Sequence, residues 1–493
     1  MTGVTLQVIA DALRHAGLLA AVRGALPLQV SALTDDSRAV KPGALFVAVR
    51  GAERDGHDYL DAAASAGASA AIVDDPSRTA LPSIVVTDTR RAASVAAAAF
   101  HDFPARALRL VGVTGTNGKT TTVGMLRHLL DAPGARAASI GTLGVLVGSE
   151  GAAMPGGSGL TTPGPVELQR VLRELVDAGV RTVAMETSSH ALHQHRVDTL
   201  RFAAAVFTNL TRDHLDYHGT MEAYLAAKAM LIGLLTDDGV AVTNADDRAW
   251  DALPPSPRRV QFGFHPSADA RAEDVRFMPR GSEWTLVAGD ERQEIALPLI
   301  GDFNVANALA AAATAWSLGV PTRHIAERLR SMPQVPGRLE IISEQPVVLR
   351  DYAHTPDALE RALHAVRPFA TNRLLVVFGC GGDRDRGKRP EMGRIAQRDA
   401  DLAIVTSDNP RTEDPERILD DVEAGMTAGA HERVEDRRSA IARAIAIAGD
   451  GDVVLLAGKG HETYQVRGTV KYPFDEREIV GEILRESAPA RTF

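Results

Sequence analysis

The chain has 493 residues and a formal net charge of -9. That length allows roughly three domains with sizeable cores, and the acidic balance argues against a general nucleic-acid binder while leaving room for a local basic site for an acidic small molecule. The single cysteine, Cys380, excludes an internal disulfide and suits a reducing compartment.

The N-terminus, MTGVTLQVIADALRHAGLLAAVRG, is interrupted by Asp11, Arg14 and His15. No uncharged stretch is long enough to span a bilayer, and no small-residue cleavage site follows a basic start. A soluble, cytoplasmic protein is expected. ALTDDSRAVKPGALFVAVRG, DAAASAGASAAIVDD and SIVVTD then read as strand, turn, strand, alanine-rich helix and strand. FPARALRL marks a boundary at Pro104.

Next comes LRLVGV, a β-branched run expected as a buried strand, followed by TGTNGKTTT and a helical pattern with Val123, Leu126, Leu129 and Leu130 on one side. A strand, a glycine turn and a helix N-terminus gather backbone N–H groups around an anion. The usual phosphate loop is spelled G-x-x-x-x-G-K-[ST]. Here its first glycine is replaced by Val113, but Gly115, Gly118, Lys119 and Thr120 keep the chemistry. Lys119 can reach the outer phosphates of a nucleoside triphosphate, and the Thr120 hydroxyl can sit on Mg²⁺.

TVAMET, AAAVFTNL and VAVTNAD read as strands alternating with helices, as in a mononucleotide-binding sheet. Glu186 ends the first of them, a natural place for a carboxylate ligand of Mg²⁺. His190, His193 and His195 in the same stretch raise zinc, but no cysteine accompanies them and a strand exit does not put them on one face. His214 and His218 have i, i+4 spacing, yet Gly219 and the run Asn209 to Asp213 favour a loop. There Asp213, His214 and Asp216 suit a hydrated Mg²⁺ or a substrate. Lys228 lies on the apolar side of a helical run, with Tyr224, Leu225, Leu231 and Ile232 as neighbours. Such a lysine ordinarily snorkels to the surface. Alternatively its burial favours a neutral amine, able to take up CO₂ as a metal-binding carbamate.

Around 256–300 the pattern turns to short strands, a β-rich insertion. SMPQVPGRLE marks a second boundary. Beyond it RLLVVFGC, LAIVTSDN and DVVLLAGKG are apolar strands of a second parallel sheet, with active loops expected at their C-termini. Cys380 closes the first of these runs and reads as a buried strand residue, not a nucleophile.

TGTNGKTTT, ETSSHAL, TNLTRDHLDYHG with Lys228 downstream, and GDFNVANALAA together resemble the Mur ligase family, over nearly the whole chain and in the family's motif order. The resemblance implies an α/β, three-domain architecture: an N-terminal UDP-substrate domain (1–104), a central P-loop mononucleotide-binding domain (105–335) and a C-terminal Rossmann-like, amino-acid-binding domain (336–493). It implies an ATP-dependent amide ligase working through an acyl phosphate. Lys119, Glu186, His214 and Lys228 would be catalytic. Thr120 and Glu186 would bind one Mg²⁺, and His214 with carbamylated Lys228 (N6-carboxylysine) a second. ATP would be held by Gly115, Thr116, Asn117, Gly118, Lys119, Thr120 and Thr121, with Asn307 near adenine and Arg338 and Asp351 near phosphates and ribose.

TDDSRAVKPGALFVAVRG further resembles the branch that adds the third amino acid of the peptidoglycan precursor. Ser37 would then contact the UDP portion, and Thr161, Thr162, Ser188, Gln194 and Arg196 the muramoyl dipeptide. DNPR resembles the signature for meso-2,6-diaminopimelate, which implies a pocket of Arg384, Asp408, Asn409, Pro410, Arg411, Gly458 and Glu462. The expected partners are therefore UDP-MurNAc-L-Ala-D-Glu, meso-2,6-diaminopimelate and ATP, without nucleic acid or membrane span, for a monomer. The alternatives are the L-lysine-adding ligase of the same branch and a folylpolyglutamate synthase-like ligase. Outside these classes stand a P-loop phosphotransferase and a catalytically silent regulator, the latter disfavoured by Lys119, Glu186, His214 and Lys228.

Overall fold

The structure, a computed structural model, describes residues 3–51, 54–157, 159–278 and 280–487. Its contacts divide the chain into two compact units: Met1–Leu210, His218–Asp269 and Ala310–Pro321 form one, and Thr211–Tyr217, Ala270–Leu309 and Thr322–Phe493 the other.

The first unit carries two sheets. In the smaller, Ser83–Val86, Ala70–Val73, Leu45–Val47 and Leu33–Thr34 run parallel in that order, with Leu19–Arg23 antiparallel at one edge. The alanine-rich run yields a helix of only six residues, Leu60–Ser65. In the larger sheet, Arg109–Thr114 lies between Val180–Glu186 and Phe202–Phe207, parallel to both. Glu186 pairs with Val113 and Phe207 with Thr114. Three strands therefore end at one edge, where the phosphate loop, the residues after Glu186 and Thr208 leave the sheet together. This edge is where a parallel sheet presents its ligand loops. The core beneath it is built from Leu110, Val183, Met185, Phe202, Phe207, Leu231 and Trp250.

The second unit contains a sheet ordered Glu340–Glu344, Val347–Asp351, Val453–Ala457, Leu374–Phe378, Leu402–Val405, His431–Arg433, parallel except for its first pair. The runs LLVVF and VVLLA are buried along their whole length. Alternate residues serve opposite faces: Leu374, Val376 and Phe378 join one core, Leu375 and Val377 the other. Continuous apolar strands are what a sheet covered on both faces requires. The β-rich insertion is present as an antiparallel meander, Ala270–Met278, Gly281–Ala288 and Glu291–Leu297.

Two local readings change. Cys380 is buried, but it lies two residues beyond the strand Leu374–Phe378. Burial pushes its thiol up to about 12, which keeps it an unreactive thiol at pH 7. The segment expected as a loop around His214 contains a single helical turn, Leu215–His218. His214 enters it with φ 54° and Gly219 ends it with φ 78°. The glycine stops the turn by taking the left-handed conformation that closes helices, so an end signal was misread as the sign of a loop.

Candidate active site

The phosphate loop is pinned from the neighbouring strand exit. Gly115 has φ 147°, and a Cβ built there would lie 1.9 Å from Thr208 Oγ1. Only glycine permits that approach. Thr208 Oγ1 donates to Asn117 O at 2.7 Å, Asn117 N donates to Asn209 Oδ1 at 2.9 Å, and Thr116 N donates to Asn209 O at 2.8 Å. Gly118 takes φ 83° immediately before the helix Lys119–Leu130, whose first residues include buried Thr120 and Thr121. Gly115→Ala should cost about 1–3 kcal/mol of strain in the loop, roughly 10–100-fold in the Kd for ATP. Calorimetric titration with ATP checks this, and an unchanged Kd would show that the loop does not hold the nucleotide.

Two lysines converge on this loop. Lys119 Nζ donates to Gly115 O at 3.0 Å and Thr116 O at 2.7 Å. Lys228, near the end of the helix Met221–Ala229, is 1 % exposed, and its Nζ donates to the same Gly115 carbonyl at 2.7 Å. Its ammonium also stands 4.2 Å from the centre of the Tyr224 ring. The snorkelling alternative is therefore excluded: this lysine turns inward, onto the loop.

Glu186 is 1 % exposed. Its Oε1 accepts from Thr142 N at 2.8 Å and its Oε2 from the Thr142 hydroxyl at 3.2 Å. The dipeptide candidates gather behind it. Thr162 Oγ1 donates to Glu186 O at 2.8 Å and accepts from Ser188 N at 3.0 Å. Thr161 Oγ1 is 3.5 Å from the Thr142 hydroxyl. Arg196 donates to Thr162 O at 2.9 Å and to Gln194 Oε1 at 2.6 Å. Ser37 opens a short 3-10 turn, Ser37–Ala39, capped by the Asp36 carboxylate accepting from Arg38 N. Two residues earlier, an Asp35 carboxylate oxygen lies 4.0 Å from the position of a Cβ on Gly164, which sets the DDSR turn beside the loop carrying Thr162.

The histidines do not form a zinc set. The rings of His190 and His193 meet that of His218, at 5.4 and 6.0 Å between centres, whereas His195 turns to Asp198 at 2.9 Å. Among the described residues, the three metal-type donors that do converge are Glu360, His364 and Asp399, far along the chain. The residues suited to Mg²⁺ are oxygen donors, the Thr120 hydroxyl and the buried Glu186 carboxylate, and this set fits a hard cation.

His214 and the remaining nucleotide candidates belong to the second unit. The His214 side chain is 45 % exposed, its Nε2 3.5 Å from Asp213. Asn307 is buried in the helix Asp302–Ser317, its Nδ2 3.4 Å from Asn304 Oδ1. The Arg338 guanidinium stands 4.9 Å from the centre of the Tyr352 ring. Asp351 ends its strand, with Oδ2 accepting from Leu339 N at 2.7 Å. Burial pushes its carboxyl up to about 6, against the opposing pull of Arg338 and two backbone N–H groups. Burial also drives His354 and His461 down to about 4, so both imidazoles are neutral at pH 7. Because the folded-state value of Asp351 is raised above 3.8, the folded chain holds the extra proton, and this stability is lost as pH rises through 6. Asp351→Asn should gain in Tm relative to wild type between pH 5 and pH 7, as thermal unfolding at the two values would show.

The diaminopimelate candidates occupy loops that follow the parallel strands. Asp408, Asn409, Pro410 and Arg411 come after Leu402–Val405, Arg384 after Leu374–Phe378, and Gly458 and Glu462 after Val453–Ala457. Asn409 Nδ2 donates to Glu462 Oε2 at 2.8 Å. Arg411 has φ 52°, its N–H donates to Val466 O at 3.1 Å, and its guanidinium donates to Gly382 O at 2.7 Å. Arg384 is exposed and donates to Asp383 O at 3.0 Å. Sequence reasoning missed Lys459, which is wholly buried among Asp408, Asn409 and Glu462. It also missed Thr142, Thr208 and Asn209. DVVLLAGKG and TNLTRDHLDYHG mark these strand exits in the sequence, but only the structure shows what their side chains reach.

The chain matches three family descriptions: "Mur ligase family, catalytic domain" over residues 29–106, "Mur ligase middle domain" over 113–315, and "Mur ligase, glutamate ligase domain" over 337–460. A protein of Gloeobacter violaceus named UDP-N-acetylmuramoyl-L-alanyl-D-glutamate--2,6-diaminopimelate ligase is 47% identical, covering 93% of this chain and 94% of the relative. The chain belongs to the Mur ligase family. A protein of the same name from Geobacter metallireducens is 46% identical over 94% of this chain and 96% of its own. A solved structure, also of that name, is 33% identical with a TM-score of 0.68, covering 98% of this chain and 99% of that one. The α/β fold and the Mur ligase architecture expected from the motifs are thus established.

Proposed function

We propose that this chain joins meso-2,6-diaminopimelate to the γ-carboxylate of D-Glu in UDP-MurNAc-L-Ala-D-Glu, with ATP converted to ADP and phosphate. The observation that carries the reading is the pair of strand exits bearing Asp408 to Arg411 and Gly458 to Glu462: the Asp408 and Glu462 carboxylates share the buried Lys459 ammonium, Glu462 accepts from Asn409 Nδ2, and the Arg411 guanidinium donates to Gly382 O, so these loops carry anions and a cation for an amino acid with both charges at its far end. The naming of the relatives in Gloeobacter and Geobacter supports it. The reading divides the chain at residues 104 and 335 into UDP-substrate, ATP and amino-acid domains. It takes a monomer working in the cytoplasm on peptidoglycan precursors. No helix among the described residues is long and apolar enough to cross a membrane.

In the reaction, a γ-carboxylate oxygen attacks the γ-phosphorus, the bond to ADP breaks, and an acyl phosphate forms. The amine of diaminopimelate then attacks the carbonyl carbon, phosphate leaves with the former carboxylate oxygen, and the amine loses a proton. Lys119 exchanges the carbonyls of Gly115 and Thr116 for phosphate oxygens, and the helix N-terminus holds the same anion. Thr161, Thr162, Ser188, Gln194 and Arg196 seat the dipeptide against the strand end at Glu186. Thr120 and Glu186 would hold one Mg²⁺, and a Lys228 carbamate would help hold a second; when bound, the ions would neutralise charge that repels the carboxylate from the triphosphate.

The test supplies UDP-MurNAc-L-Ala-D-Glu, ATP and Mg²⁺ with a panel of amino acids and reads product mass. Diaminopimelate is expected to give the tripeptide product with phosphate release that needs both substrates. Phosphate release without an amino acid, or a preference for L-lysine, would overturn the assignment.

A further inference from the structure

We infer that Lys459 sets the net charge of the amino-acid pocket and thereby the choice between a zwitterionic and a cationic far end, an inference that rests on the reaction proposed above. The Lys459 side chain has no exposed surface. Its Nζ lies 3.4 Å from Asp408 Oδ1, 3.1 Å from Asn409 Oδ1 and 3.1 Å from Glu462 Oε2. A buried ammonium is tolerated only when paired and hydrogen-bonded, and here two carboxylates and an amide oxygen do this. The contacts also fix Asn409: its Oδ1 accepts from Lys459 and from Val466 N at 2.9 Å, so its amino group must face Glu462.

Formal charges give the consequence. Asp408 and Glu462 carry two negative charges and Lys459 one positive, leaving one negative charge to meet one ammonium. Arg411 adds a positive charge for a carboxylate. The four groups sum to zero, which matches the far end of diaminopimelate, with one carboxylate and one ammonium. L-lysine brings the ammonium alone. Without the Lys459 charge the pocket would sum to minus one and match L-lysine better. Lys459 is a positioning residue in this account, holding the Asp408, Asn409 and Glu462 side chains while setting their sum.

The experiment compares kcat/KM for diaminopimelate and for L-lysine at saturating ATP and UDP-MurNAc-L-Ala-D-Glu, in wild type, Lys459→Met, Glu462→Gln and the double variant. Lys459→Met should lower the ratio of diaminopimelate to L-lysine by about tenfold or more, since unbalanced charge in a desolvated pocket costs several kcal/mol. Glu462→Gln should raise the ratio, and the double variant should bring it back toward wild type. If Lys459→Met does not fold, the raised ratio in Glu462→Gln and its return toward wild type in the double variant still decide. Equal losses for both amino acids, with no recovery in the double variant, would reduce Lys459 to a packing residue. A wild type that prefers L-lysine would instead overturn the reaction assignment.

Discussion

Lys228→Ala should abolish ligation, and a short carboxylic acid added to that variant should restore part of it. The side chain is buried, and its amine sits on the carbonyl of Gly115, one residue past the strand that leads into the phosphate loop. An amine there, once converted to a carbamate, puts an anionic oxygen pair at the mouth of the loop, where cations must gather to offset the triphosphate. Removing a charged group of this kind from a water-poor site costs on the order of 10³-fold in rate. A small carboxylate diffusing into the space left by the side chain would supply the missing anion. The competing role is a clamp, with the ammonium only bracing the Gly115 carbonyl. In that case Lys228→Ala would weaken ATP binding, and added acid would change nothing. Full activity in the variant without acid would contradict both roles.

Arg411→Ala should lose activity with diaminopimelate steeply while its dependence on ATP and the UDP substrate changes little. Diaminopimelate differs from L-lysine by a second carboxylate on the carbon that bears the far amino group. A planar guanidinium takes such a carboxylate through two parallel hydrogen bonds, whereas L-lysine would meet it with a like charge. Arg411 is held in a left-handed conformation, φ 52°, by its own N–H to Val466 O and by Gly468 N to its carbonyl at 2.6 Å. A non-glycine residue in that region costs energy that its surroundings must supply, and such strain collects at ligand clamps. Losing a desolvated charge pair costs about 2–5 kcal/mol, on the order of 10²-fold or more in kcat/KM. Measuring kcat/KM for diaminopimelate and L-lysine in both proteins decides it. An Arg411→Ala variant that keeps its preference for diaminopimelate would show that another group reads the second carboxylate.

The parts of this site that could be read from the sequence are those built by near neighbours along the chain. The phosphate loop was legible because a strand, two glycines, a lysine and a helix follow one another within a dozen residues. Glu186 was legible because a strand end is marked by the stop of an apolar run. The inward turn of Lys228 was only one of two readings, since helical spacing places a residue on a face without saying what covers that face. Thr208 and Asn209 were missed as loop anchors because they act on Asn117 across more than ninety positions. Lys459 was missed for a similar reason: its partners Asp408 and Asn409 lie about fifty residues away, on another strand exit. The glycine signal misled after His214, where Gly219 reads as a loop residue but ends a single helical turn, Leu215–His218.

The most direct test of the account is the fate of one oxygen. UDP-MurNAc-L-Ala-D-Glu labelled with ¹⁸O in the D-Glu γ-carboxylate is incubated with ATP, Mg²⁺ and meso-2,6-diaminopimelate, and the released phosphate is weighed by mass spectrometry. The account predicts one ¹⁸O in each phosphate, carried over when the amine displaces it from the acyl phosphate. Phosphate without the label, or labelled phosphate formed with L-lysine but not with diaminopimelate, would contradict it.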